Sequence, residues 1–127
     1  MTEQTTRDIT KLKRIRGGHK AAFTRLTTKV DEFVSASIRD DERLCEAEAL
    51  LSSLKGKLLD FHRWDTEIQL EIEDEGDLNA DIGATTEFEI SANTTIARLT
   101  ALIDNYKKQI ATLTTTPTEK LIPYGHT

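Results

Sequence analysis

The sequence predicts an all-α protein, an elongated antiparallel three-helix coiled-coil bundle with a mobile C-terminal tail. Apolar residues step by three and four along three separate stretches, which is the spacing of one helix face. The middle stretch keeps a heptad rhythm for four repeats. Apolar residues are 37% of the 127 and charged residues 31%. That is lean for a compact sphere but enough for long helices that each give a stripe to a shared seam. The length suits one domain, or one piece of a larger polyprotein. The bundle is expected over residues 1–116, with helices at about 6–37, 40–75 and 78–114, and the flexible tail over 117–127.

The first helix follows Ile9, Leu12, Arg16, His19, Phe23, Leu26, Val30 and Phe33, with two polar members near its start. Gly17-Gly18 interrupts it at about 1 kcal/mol per glycine relative to alanine. The pair reads as a kink, or as a break between a short basic helix and a longer one. The other reading is a close backbone approach by a partner helix or a phosphate.

The second helix is the clearest. Asp40 or Asp41 caps its start. Leu44, Ala47, Leu51, Leu54, Leu58, Phe61, Asp65, Ile68 and Ile72 form its seam, and Asp65 alone breaks the apolar set. Leu50, Leu59, Trp64 and Leu70 widen the apolar face, as a helix with two neighbours requires. Cys45, the only cysteine, is expected to pack beside this seam, and it excludes an internal disulfide framework. A turn is expected at Asp74–Asp77, with Gly76 ending the helix.

The third helix follows Leu78, Ile82, Thr85, Glu89, Ala92, Ile96, Leu99, Ile103, Tyr106, Ile110 and Leu113. Gly83 and β-branched threonines weaken its first half. Thr114-Thr115-Thr116-Pro117 is expected to stop it, because proline disfavours helix at the preceding residue. Short connections make successive helices antiparallel neighbours.

The net charge of −5 hides an uneven distribution. Between Lys11 and Lys29 lie seven Lys/Arg and no acid, whereas Asp60–Glu89 holds eleven acids and only Arg63. The basic stripe therefore has three readings. It is a solvated face, or it docks on the acidic segment of the same or a neighbouring chain, or it contacts RNA, DNA or an anionic surface. In the last case Lys11, Lys13, Arg14, Arg16, Lys20 and Arg25 are the phosphate-contacting candidates, without sequence-specific readout.

No catalytic, cofactor or metal constellation emerges. His19, His62 and His126 have no HExxH or paired spacing, and Cys45 has no CxxC partner. The run Glu71–Gly76 places a glycine sixth, as in a calcium loop, but position twelve is Ile82 where a bidentate Glu is needed. An enzyme and a small-molecule substrate are not expected. No apolar run approaches a membrane span, and the first ten residues lack the core of a secretory signal. The cytoplasm is the expected location, which leaves the acceptor pattern Asn93-Thr94-Thr95 unmodified.

The basic run followed by Lys20-Ala21-Ala22-Phe23-Thr24-Arg25-Leu26 and an acidic-hydrophobic helix resembles the N-terminal region of Gag-type polyproteins of BEL/Pao long-terminal-repeat retrotransposons. Lys13, Arg14, Arg16, Gly18, Lys20, Ala21, Thr24, Arg25, Leu26 and Phe33 carry the resemblance. The heptad helix through Leu51, Leu58 and Phe61 and the third helix ending near Ile110–Leu113 extend it across residues 7–115. Lys120-Leu121-Ile122-Pro123 is only faintly like the family's linker, and no zinc knuckle, protease, polymerase or integrase residues are present. The resemblance implies a self-associating structural segment in particles that package RNA.

The functional expectation is a non-enzymatic module that pairs with itself or with another helical protein. Its seam residues are Leu51, Leu54, Leu58, Phe61, Leu99 and Ile103, with Trp64 at a subunit contact. The alternatives are non-specific RNA or anionic-surface binding, and a monomeric helical adaptor.

Overall fold

The computed structural model describes the backbone of residues 2–126 and the side chains of residues 9–113. Three helices, α1 (Thr2–Ala36), α2 (Asp41–Glu71) and α3 (Glu75–His126), pack on one another. At 1.5 Å per residue they are about 52, 46 and 78 Å long. Contacts fix the directions. Arg16 meets Asp65 while Phe33 meets Arg43, so α1 and α2 are antiparallel. His62 meets Glu89 while Asp41 meets Tyr106, so α2 and α3 are antiparallel too.

The connections are made by side chains that offer the backbone a local partner. Ser37 leaves α1 with a φ of 64°, and its N–H donates to the Phe33 carbonyl at 2.7 Å. This is a left-handed helix terminus usually occupied by glycine. Ile38 then turns back into the core, and the Asp40 carboxylate accepts from the Arg43 N–H at 2.8 Å as the N-cap of α2. Asp74 does the same for α3, accepting from the Asp77 N–H at 2.8 Å.

The second turn therefore falls at residues 72–74, before the expected 74–77, and Gly76 lies in the first turn of α3 rather than ending α2. The reason is electrostatic: Asp74, Glu75 and Asp77 suit the positive end of a starting helix better than the negative end of a finishing one. At the other end, α3 runs on through Pro117 to His126, past the expected stop. The side chains of the expected mobile tail, 117–127, lie outside the described residues. Gly17 and Gly18 do not break α1, and a Cβ at either meets nothing within 4 Å.

The core is one strip between the helices. Phe23, Val30 and Phe33 of α1 meet Ala47, Leu50, Leu54 and Leu58 of α2 and Ala92, Leu99, Ile103 and Tyr106 of α3. In its middle, Phe88 packs edge-on to Phe23 (5.6 Å between centroids) and tilted against Phe61 (4.5 Å). Each helix supplies one ring, and such aromatic pairs contribute about 0.5–1.5 kcal/mol beyond area burial. Arg43 closes the far end, its guanidinium 4.0 Å from the Phe33 ring centroid.

The expected widening of α2 is only half realised. Leu50 is buried and Trp64 half-buried, but Leu59 and Leu70 are 69% and 80% exposed. Cys45 is also exposed rather than packed beside the seam. Two partners on one side of α2 do not surround it, which leaves Cys45 and Leu59 to solvent, while Leu70 borders an open groove toward α1.

Candidate functional site

The expected seam residues are already used within the chain. Leu54, Leu58, Phe61, Leu99 and Ile103 are buried, and Leu51 packs half-buried against them. A second copy cannot reach them while the bundle is closed. Trp64 differs, lining an open groove of about 590 Å³ between α1 and α2 with Leu12, Ile15, Lys11 and Glu67.

The polar members of the seams meet one another. Arg16 of α1 donates from Nη1 to Asp65 Oδ1 of α2 at 2.6 Å. It also grips Asp81 of α3 with two bonds, Nη1 to Oδ2 at 2.8 Å and Nη2 to Oδ1 at 2.7 Å. The side chain of Gln69 donates to Asp65 Oδ2 at 3.1 Å, so every carboxylate oxygen of the pair has a donor. The three side chains are only 10–13% exposed. The bond to Arg16 holds the Asp81 carboxyl below its ordinary pKa against the opposing effect of burial. Its bond to Asp81 likewise raises the Arg16 guanidinium, which stays charged.

This clasp joins all three helices and realises the expected docking of the basic stripe on the acidic segment, at one residue. It also removes Arg16 from the phosphate-contacting candidates, since its charge is spent on two carboxylates. Asp81 was not part of the expected seam, which ran through Ile82. The observed seam takes Asp81 inward and leaves Ile82 40% exposed. Two turns later Phe88 is the ring in the core, while the expected Glu89 lies 3.0 Å from His62 Nδ1 at the edge. Spacings of three and four are equally helical, and an arginine waiting at the level of Asp81 decides between them.

The other five basic candidates, Lys11, Lys13, Arg14, Lys20 and Arg25, are exposed. None of them has a carboxylate partner within ion-pair distance among the described residues. They do not form one stripe. Lys11 borders the groove toward α2, whereas Lys13 and Lys20 border a groove toward α3. Arg14 and Arg25 line neither of these two grooves.

The third feature is the end of α3. Tyr106 donates its hydroxyl to Oδ1 of Asp41, the first residue of α2, at 3.0 Å. The 20 residues of α3 beyond Tyr106 extend about 30 Å further. The seam continues onto this segment, where Ile110 and Leu113 are 41% and 71% exposed.

Among the described residues, no group of three or more His, Cys, Asp or Glu is placed to hold a metal ion. No helix among them is long and apolar enough to cross a membrane. No family model matches this chain, and neither does any curated protein or solved structure.

Proposed function

We propose that this chain is a non-enzymatic structural module that associates with a second copy of itself through the C-terminal part of α3. The observation that carries this is the continuation of the α3 seam beyond its own partners. Leu99, Ile103 and Tyr106 are buried against the bundle, and Ile110 and Leu113 prolong the same face where less of the bundle covers it. A lone helical segment of this length is marginal in water, and an apolar edge gains by pairing. The five exposed cations without ion-pair partners lie on α1, spread over several of its sides rather than in one stripe. Self-association of an elongated helical segment is also the role implied by the resemblance to Gag-type N-terminal regions.

The test is light scattering coupled to size exclusion over a concentration series, for the wild type and for Ile110→Glu/Leu113→Glu. The wild type is expected to shift from monomer to dimer or larger as concentration rises, at low and high salt alike. The double variant is expected to stay monomeric with unchanged helicity. A wild type that is monomeric throughout, or a variant that associates equally well, contradicts the reading. Association lost only at high salt would instead assign it to the basic and acidic segments.

A further inference from the structure

The groove between α1 and α3 has a composition that the bundle itself does not require. It encloses about 190 Å³, and α1 contributes only Lys13, Arg16, Gly17 and Lys20 to its wall. Across from them stand Thr85 and Phe88 of α3. Lys13, Gly17 and Lys20 lie four and three residues apart, so they share one side of the helix with the glycine between the two lysines. The missing side chain at Gly17 leaves open space, which exposes the backbone at the centre of the groove. The Lys20 ammonium lies 5.6 Å from the Phe88 ring centroid; among the described residues neither it nor Lys13 is within ion-pair distance of a carboxylate, although Lys13 stands near enough to Asp81 to favour its charged form.

The nearby carboxylates do not cancel this charge. Asp65 and Asp81 are held by Arg16, and that trio is one negative charge in excess, against two positive lysines. The groove is therefore net positive, with an apolar wall at Phe88. A carboxylate ligand brings one charge on two oxygens. A phosphate monoester brings about 1.5–2 charges at pH 7 and three acceptor oxygens, enough to bridge two ammoniums on flexible stems.

We propose that the groove between α1 and α3 binds the phosphate group of a small phosphomonoester between Lys13 and Lys20, over the backbone of Gly17. The organic part rests on Phe88. This site is independent of the association surface at the far end of α3, and the molecule is a ligand rather than a substrate.

The test is an NMR titration of the full chain with inorganic phosphate and with phenyl phosphate, followed at the Gly17 and Thr85 amides. Both probes are expected to give saturable shifts there, phenyl phosphate the tighter of the two. Lys13→Gln/Lys20→Gln is expected to weaken binding about tenfold, as loss of charge-assisted bonds implies. The charge-matched pair Arg14→Gln/Arg25→Gln should change it less than about twofold. Gly17→Leu, which keeps every charge, should also weaken binding by filling the groove. Equal losses in the two glutamine pairs, or no saturable shift at Gly17, would overturn the proposal. So would shifts with single-stranded RNA alone, which would assign the cations to a diffuse polyanion surface.

Discussion

The two ends of the bundle are held by different physics. At the end where α1 and α2 connect, Val30, Leu54 and Leu99 are fully buried, with Phe33, Ile38, Ala47, Leu50 and Ile103 around them. Among the described residues the polar groups buried there are the Tyr106 hydroxyl, which reaches out to Asp41, and Thr95, which donates to the Ser91 carbonyl of its own helix at 3.1 Å. At the other end Arg16, His19, Asp65, Asp81 and Thr85 hold seam positions beside half-buried Ile9, Leu12, Ile72 and Leu78, and Ile68 is the one fully buried aliphatic there among the described residues. Thr85 satisfies its hydroxyl by donating to the Ile82 carbonyl of its own helix. Apolar packing is strong but tolerant of register. A bidentate guanidinium has one geometry, so the polar end fixes which turn of α1 faces which turn of α3, at some cost in stability.

Breaking the apolar end should have the largest effect. Leu58→Asp puts an unpaired carboxylate in the core and is expected to abolish the cooperative melt seen by circular dichroism. Leu54→Ala, at a site with 0% exposure, should cost about 2–5 kcal/mol in urea denaturation.

The polar end should respond differently to single and combined changes. Arg16→Leu leaves two carboxylates facing each other and is expected to cost about 3 kcal/mol. Replacing Arg16, Asp65 and Asp81 together by leucine should recover the wild-type value to within about 1 kcal/mol, or exceed it. A triple variant as unstable as the single one would show that the clasp contributes net stability rather than register.

Acid provides a gentler version of the same experiment. Asp81 has a depressed folded-state pKa, chiefly through its bond to Arg16. The stability it contributes is therefore fully present above the ordinary aspartate value near 3.8 and lost as pH falls below it toward the folded pKa. Denaturation midpoints between pH 7 and pH 3 should fall more steeply in wild type than in Asp81→Asn. Equal slopes would separate Asp81 from the acid response.

The smallest effects lie in the backbone. Ser37→Gly should gain about 1 kcal/mol by relieving a left-handed residue. Gly17→Ala and Gly18→Ala should gain about as much each, since neither new methyl meets anything.

Much of this contrast was legible in the sequence. Every expected seam position of α1 and α2 is buried or half-buried, because the heptad rhythm there has few competitors. Arg16 and Asp65 stood out as opposite charges in two apolar seams, which was a usable sign that they pair. The sequence does not single out Asp81 and Phe88, because Ile82 and Glu89 fit the α3 rhythm equally well and only the facing helices decide. Gly76 suggests a stop, but the acids beside it mark a start, and the turn falls at residues 72–74. The two sides of the basic helix could not be told apart before the positions of α2 and α3 were known.

The most direct test of unequal ends is amide hydrogen exchange along α1 in wild type and in Asp81→Asn. The variant is expected to lose protection between Ile9 and Lys20 while residues from Phe23 to Phe33 keep theirs to within about threefold. A uniform loss along the whole of α1, or no loss at its first half, would contradict a clasp that holds one end alone.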